Sequence, residues 1–220
     1  MNTKTKGVLY IIMAAFGFSM MSVFIRLAGD LPPFQKAFFR NFAALIFVTV
    51  IMLKSHTSFI PKKGSIPMLL GRAVFGTIGL VSNFYAIDHL LLADANMLNK
   101  LSPFFAIIFS IFLLKEKPTF VQILGIVTAF IGSVFIIKPS AGGYASFPAM
   151  IGVLGGLGAG IAYTFVRRLG QHGENSFVII FFFSAFSCIV CLPFLIFQSA
   201  AMTLKSFVLL LCAGMSACIG

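Results

Sequence analysis

Tryptophan is absent from this chain, acidic residues number only five, and charged residues of either sign make up 10% of it. A soluble domain of 220 residues needs far more polar surface than that, so a globule surrounded by water is excluded. Without indoles, any aromatic anchoring at a membrane interface must be done by other rings. Four cysteines, Cys188, Cys191, Cys212 and Cys218, all fall inside apolar segments, where the thiol serves as a small hydrophobe. Cys188 and Cys191 share the C-x-x-C spacing on one helical face, but no second pair and no nearby histidine completes a ligand set, so neither a metal nor a cofactor is expected. Also missing are a Gly-rich phosphate loop, a nucleophile elbow, an H-E-x-x-H pair and paired carboxylates. A membrane-embedded enzyme would need such a constellation at midplane depth, and an enzyme is not the expected reading.

What is present is apolar: 60% of the chain is hydrophobic and phenylalanine alone occurs 28 times. The expected fold is all-α, a polytopic helical membrane protein. Hydropathy and helix breakers divide it into eight segments, Gly7–Leu27, Phe34–Leu53, Pro67–Ile87, Leu91–Leu114, Thr119–Lys138, Pro148–Arg168, Ser176–Phe197 and Ser206 to the chain end. Prolines 33, 67, 118 and 148 stand at helix starts, where a missing N–H is harmless. The first segment lacks a small-residue cleavage site and reads as a retained span. Short connections predict that sequential helices are antiparallel neighbours.

The net charge of +11 invites a nucleic-acid partner, but the basic residues sit at helix ends and not on one soluble face, so none is expected. Placing the N-terminus in the cytoplasm puts Lys4, Lys6, Lys54, Lys62, Lys63, Arg72, Lys115, Lys117, Arg167 and Arg168 inside, ten of the sixteen Lys and Arg. The positive-inside rule favours that orientation.

The fourth segment carries the densest polar signal. Asn96, Asn99, Lys100 and Pro103 follow helical spacing and form one stripe about 100° wide, which cannot face lipid. A lysine near the bilayer midplane marks a substrate or ion path by default, and pairing with a neighbouring carbonyl is the packing alternative. Pro103 has no N–H and frees the carbonyl of Asn99, so that carbonyl, two amides and the ammonium can form a compact polar site. Other spans repeat the pattern: Ala15, Ser19, Ser22 and Arg26 in the first, Arg72, Gly76, Gly79 and Asn83 in the third, and Lys36 and Arg40 next to Asn41 in the second. Arg40 lies about 10 Å below the start of its helix and is a candidate cavity residue, whereas Arg26 and Arg72, within about two turns of a helix end, read as snorkelling anchors. Gly152, Gly156 and Gly160 form a small-residue row for close packing, continued by Tyr163, whose hydroxyl can reach a ligand. Gly125, Ala129 and Gly132 read as packing positions in the fifth span. The five acids, Asp30, Asp88, Asp94, Glu116 and Glu174, all lie at or near span ends, so coupling through a buried midplane carboxylate is not expected.

The chain also repeats weakly. Gly7-Val8-Leu9 matches Gly152-Val153-Leu154 at an offset of 152 − 7 = 145, and Phe24-Ile25-Arg26-Leu27 resembles Phe165-Val166-Arg167-Arg168-Leu169 after a gap. A first unit of five spans obliges the second to enter upside down, the inverted-repeat plan of secondary transporters. The offset predicts that the second unit ends near 138 + 145 = 283, so about eight spans of an expected ten are present and the chain reads as a fragment or truncated product.

Leu92-Ala93-Asp94-Ala95, Leu101-Ser102-Pro103-Phe104 and Leu114-Lys115-Glu116-Lys117, with Gly125 and Gly132 in the next span, resemble the EamA-type domain of the drug/metabolite transporter superfamily. The resemblance covers residues 7–138 as one five-helix repeat and 148–220 as part of a second, with about three helices. It implies a ten-helix transporter whose central cavity is lined by the first, third, fourth, sixth, eighth and ninth spans. The expected function is secondary transport of a small polar, anionic or zwitterionic metabolite by alternating access. Its substrate site is assigned to Asn96, Asn99, Lys100, Pro103, Arg40, Asn83, Ser19, Ser22 and Tyr163. The alternatives are a multidrug or organic-cation exporter and a non-transporting fragment. The expected partners are a small-molecule substrate and the lipid bilayer, with a homodimer open, and the expected location is a bacterial cytoplasmic membrane.

Overall fold

The computed structural model describes residues 3–114, 117–137, 147–197 and 199–219. Lys115 and Glu116 of the basic motif, and Lys138 at the expected end of the first unit, lie outside the described residues. Within them the protein is all-α, with helices α1 (Thr3–Leu27), α2 (Pro33–Lys54), α3 (Ile66–His89), α4 (Leu92–Asn99), α5 (Ser102–Leu113), α6 (Phe120–Ile137), α7 (Phe147–Gln171), α8 (Ser176–Phe197) and α9 (Leu204–Ile219). Six stretches are long and apolar enough to cross a membrane, α4 and α5 together forming one of them; α6 and α9 contribute shorter apolar runs, Phe120–Ser133 and Leu204–Cys218. The outer surface is correspondingly greasy, with Phe112, Phe120, Val121, Phe135 and Ile189 more than two-thirds exposed. A soluble monomer rarely tolerates continuous apolar surface of this kind, but lipid covers it.

Helix ends are built from local chemistry. Pro33 opens α2 where no N–H is required. Thr119 and Gln122 exchange hydrogen bonds, the Thr119 N–H donating to Gln122 Oε1 at 2.8 Å and the Gln122 N–H to Thr119 Oγ1 at 3.4 Å, which is a capping box at the start of α6. At the end of α7, Gly173 adopts φ +75°, letting its N–H reach the Gly170 carbonyl and that of Glu174 reach Leu169. A side chain at Gly173 would strain that left-handed turn.

The fourth span is broken and not continuous as expected from residues 91–114. The Lys100 N–H donates to the carbonyls of both Asn96 and Met97, that of Leu101 to Leu98, and those of Phe104 and Phe105 both to Leu101. The ladder therefore tightens and restarts between Asn99 and Ser102, because Pro103 has no N–H to give Asn99.

Packing also departs from the sequential-neighbour expectation. The most extensive contacts join α3 to α7, α2 to α8, α5 to α7, and α9 to both α1 and α2. Without a hydrophobic force between helices in lipid, close approach of backbones decides which pairs form. A methyl group placed on Gly79 would sit 2.7 Å from the Ala159 backbone nitrogen, and one on Gly158 2.8 Å from that of Gly79, so α3 and α7 touch main chain to main chain. Gly152, Gly156 and Gly160 face α4 and α5, the last with only 2.5 Å between such a methyl and Phe105 Cβ. Ala129 packs against the Leu98, Leu101 and Phe105 cluster, but a methyl on Gly132 would meet nothing within 4 Å among the described residues, in contrast to its assignment as a packing position.

Candidate functional site

Eight of these helices enclose a cavity of about 630 Å³, within the range of small-molecule sites. Ser19, Ser22, Arg40, Asn83, Asn96, Asn99, Lys100, Pro103 and Tyr163, the nine positions selected from sequence, all line it. Ser22 and Asn96 bind α1 to α4: Ser22 Oγ lies 3.0 Å from Asn96 Oδ1 and 3.1 Å from the Phe18 carbonyl, so its proton is shared between them. Ser19 instead donates to the Ala15 carbonyl one turn back. Lys100 caps the end of α4 at the break, which turns the stripe from a helical face into an edge of the cavity.

Arg40 is only 7% exposed and donates through Nη1 to Asn41 Oδ1 at 2.5 Å. Arg72, read from sequence as an anchor, lines the cavity instead. Its guanidinium carbon lies 4.1 Å from the centre of the Phe183 ring, a cation–π contact that holds it inward. Gly76 makes this possible: a methyl there would collide with Arg72 Nη1 and lie 2.9 Å from Phe183. Snorkelling was the wrong inference because depth was counted along α3 alone, whereas the partner ring belongs to α8. Arg26 does behave as an anchor, donating to the carbonyls of Ile87 and Asp88.

Two further differences concern the walls. Arg40 and Ala44 of α2, and Ser176, Ile179, Ile180 and Phe183 of α8, line the cavity, so the second and seventh spans join the set implied by the resemblance. In the nearly uniform apolar α8, only Phe183 opposite Arg72 carried a usable signal, and it becomes visible only in the fold. Arg40 Nε, Arg72 Nε and Asn83 Oδ1 are buried without a hydrogen-bond partner among the described residues. Among the described residues that line the cavity there are three cations, Arg40, Arg72 and Lys100, and no aspartate or glutamate.

The cavity is open toward one end of the bundle. Its lining includes Arg72 in the second turn of α3, Val166 near the end of α7 and Ser176 at the start of α8, which meet at that end. Toward the other end it stops at Ser22, Arg40 and Asn83. Beyond them lies a packed cluster including Ile25, Ala37, Phe84, Ile87 and Leu210. Above that cluster Lys36 Nζ, wholly buried, pairs with Asp88 at 2.5 Å. Gln35 exchanges hydrogen bonds with the backbone of Ala200, tying α2 to the α8–α9 connection. Of the cysteines, Cys218 lines the cavity and Cys188 lies 3.9 Å from the Phe38 carbonyl, and all four are free.

A multi-helix membrane protein whose helices enclose a largely apolar cavity set with cations, amides and hydroxyls is the architecture of a membrane transporter. The chain belongs to the EamA-like transporter family, whose match spans residues 5–138. It is 34% identical over 218 residues to the pseudopaline exporter CntI of Pseudomonas aeruginosa, an alignment covering 97% of this chain and 75% of that protein. It is also 31% identical over 133 residues to human solute carrier family 35 member G1, covering 60% of this chain and 36% of the relative. A solved crystal structure with 15% sequence identity matches with a TM-score of 0.65, covering 98% of this chain and 79% of that one, which supports the fold alone. The protein is thus an integral, multi-pass membrane transporter of a small molecule and not an enzyme.

Proposed function

We propose that this protein moves a small anionic or zwitterionic metabolite by alternating access, with the nine sequence-selected residues and Arg72 forming the substrate site. The observation that carries the reading is the charge balance of the cavity: Arg40, Arg72 and Lys100 face it, and no carboxylate does among the described lining residues. An uncompensated buried charge is costly, so a ligand carboxylate or phosphate is the natural counter-ion. An organic-cation exporter would need the opposite balance.

The helix pairings support an inverted repeat of five-helix units, bounded near residues 7–138 and from 148 onward. If a two-fold axis in the membrane plane relates the first three spans to the sixth, seventh and eighth, a contact between spans one and eight requires its counterpart between six and three. The contact between two and seven maps onto itself. These are the observed pairs α1 with α9, α3 with α7, and α2 with α8. Lys62, Lys63 and Arg168 lie at the open end, and the positive-inside rule supports a cytoplasmic side for that end and the N-terminus, with a bacterial inner membrane as the proposed location. The cavity then faces inward, and the name of the Pseudomonas relative supports export as the direction.

Reconstitution in liposomes tests the reading through counterflow of carboxylate-bearing metabolites. Replacing Lys100 by Ala or Met removes a charge-assisted hydrogen bond and is expected to lower uptake about tenfold or more. Uptake that is unchanged in both variants would remove Lys100 from the site, and uptake of organic cations alone would overturn the substrate class.

A further inference from the structure

Among the described lining residues the cavity holds three cations and no carboxylate, more positive charge than one acidic group can neutralise. Lys100 stands at the α4–α5 break, Arg40 on α2 and Arg72 on α3, so the three cations surround the space from different helices. Both guanidinium groups also hold donors in reserve. Arg40 uses Nη1 on Asn41, and Arg72 has one face occupied by Phe183, but the Nε of each is buried with no partner among the described residues. A guanidinium stays protonated at physiological pH and presents its donors in a planar fork suited to a carboxylate or phosphate.

From this arrangement we infer that the ligand carries at least two separated acidic groups, one held near the closed limit by Arg40 and Lys100 with Asn96 and Asn99, and another held by Arg72 nearer the open end. The inference deepens the anionic-substrate reading above and rests on it. The geometry around Arg72 points to a built subsite and not an incidental charge. Gly76 leaves out the side chain that would strike the guanidinium, and Phe183 seats it from the opposite helix. That seating leaves the edge of the fork, not its face, for a ligand. Asn83 Oδ1, 3% exposed by residue and also without a partner among the described residues, supplies an acceptor in the same cavity. It is free to accept an N–H from the same ligand, so a polycarboxylate bearing an amine engages the three orphaned atoms that face the cavity, Arg40 Nε, Arg72 Nε and Asn83 Oδ1.

The test is a charge series on the purified 220-residue chain in nanodiscs, with binding read by the ligand-induced shift of the thermal midpoint and by isothermal titration. The probes are propionate, glutarate and propane-1,2,3-tricarboxylate, with propionamide as the neutral control. Affinity is expected to rise about tenfold with each added carboxylate, as for successive charge-assisted contacts, with propionamide silent. Arg72→Gln is expected to bring the tricarboxylate down to the level of glutarate, and Arg72→Lys, which keeps the charge but not the fork, to restore part of the difference. Unliganded midpoints of the two variants show whether each is folded, and if Arg72→Gln is not, the wild-type series with Arg72→Lys still decides. Equal affinity across the series, with propionate binding lost in Lys100→Gln, would overturn the two-acid inference while leaving a single-acid transporter standing. Absence of any carboxylate binding would overturn both.

Discussion

The two ends of the bundle are held by different kinds of interaction. At the closed end, side chains far apart in sequence reach across helices: Lys36 to Asp88, Arg26 to the last carbonyls of α3, Gln35 to Ala200. They lie over a cluster of buried apolar residues, and the Lys36 ammonium, wholly buried, is shielded from water, while Arg26 stays exposed and Asp88 partly so. At the open end the cross-sequence ties use hydroxyl, imidazole and backbone groups and no ion pair among the described residues: Ser65 Oγ lies 3.4 Å from His172 Nδ1, and the Glu174 carboxylate accepts the N–H of Lys62 at 3.0 Å and of Asn175 at 3.2 Å. In an alternating transporter the closed end must open when the other closes, so Lys36, Asp88 and Arg26 are the contacts that such a transition would have to exchange for new ones.

The largest expected effect breaks the closed end. Lys36→Met leaves Asp88 without its partner in a place only 13% exposed at the side chain, and Asp88→Asn leaves Lys36 wholly buried and unpaired. Removing one member of a buried pair typically costs about 3–5 kcal/mol, whereas replacing both is often nearly neutral. Each single variant should therefore lose several kcal/mol of stability and the double variant much less than their sum, measured by denaturant titration in detergent micelles. Strict additivity would mean that the pair does not hold that end.

A smaller effect is expected at the cavity itself. Gly76→Val adds volume where Arg72 Nη1 and Phe183 already meet, and overpacking of this kind costs about 1–3 kcal/mol. Because a side chain can move more easily than backbone, the strain should be relieved by displacing Arg72 from Phe183. The variant should thus lose anion binding more than stability. A fall in thermal midpoint with no change in binding would show that Arg72 is not seated by this gap.

How much of this could be read in advance differs from residue to residue. The all-α fold and its six stretches long and apolar enough to cross a membrane followed from apolar runs alone, since lipid imposes length and hydropathy directly, whereas the other two expected spans appear as shorter apolar helices. The polar stripe on the fourth span was visible because a row of polar side chains at helical spacing is costly against hydrocarbon, and the helix break beside it follows from Pro103. Arg40 was accessible to the same reasoning, being seven residues inside its helix. Arg72 was not, since its direction is set by Phe183 on a helix more than a hundred residues later. The wrong expectation about neighbours has a related cause. Short loops constrain sequential helices to lie near one another, but Gly79 against Gly155, Gly158 and Ala159 decides which backbones actually touch. The ion pair joining Lys36 to Asp88 required knowing that the start of α2 and the end of α3 meet, which no local pattern states.

The smallest effect belongs to the open end, and its pH dependence separates it from the other. Glu174 sits in the turn between α7 and α8, outside the spans. Burial disfavours its ionisation, but hydrogen bonds from the Ser65 hydroxyl and from the N–H groups of Lys62 and Asn175, with the charge of Lys62, outweigh it and hold the carboxyl below the usual carboxylate range. A carboxylate with a depressed folded pKa stabilises the folded state above its unfolded value of about 4.3, and that contribution disappears as the pH falls through the lower folded value. Glu174→Gln should therefore cost about 1 kcal/mol at neutral pH and progressively less in acid, converging with the wild type once both side chains are neutral. Thermal midpoints of the two proteins between neutral pH and about pH 3 provide the check. A gap that stays constant across that range would mean that the turn depends on the shape of the side chain, and the contrast with the charge-held closed end would then be sharper than the hydrogen bonds of Glu174 imply.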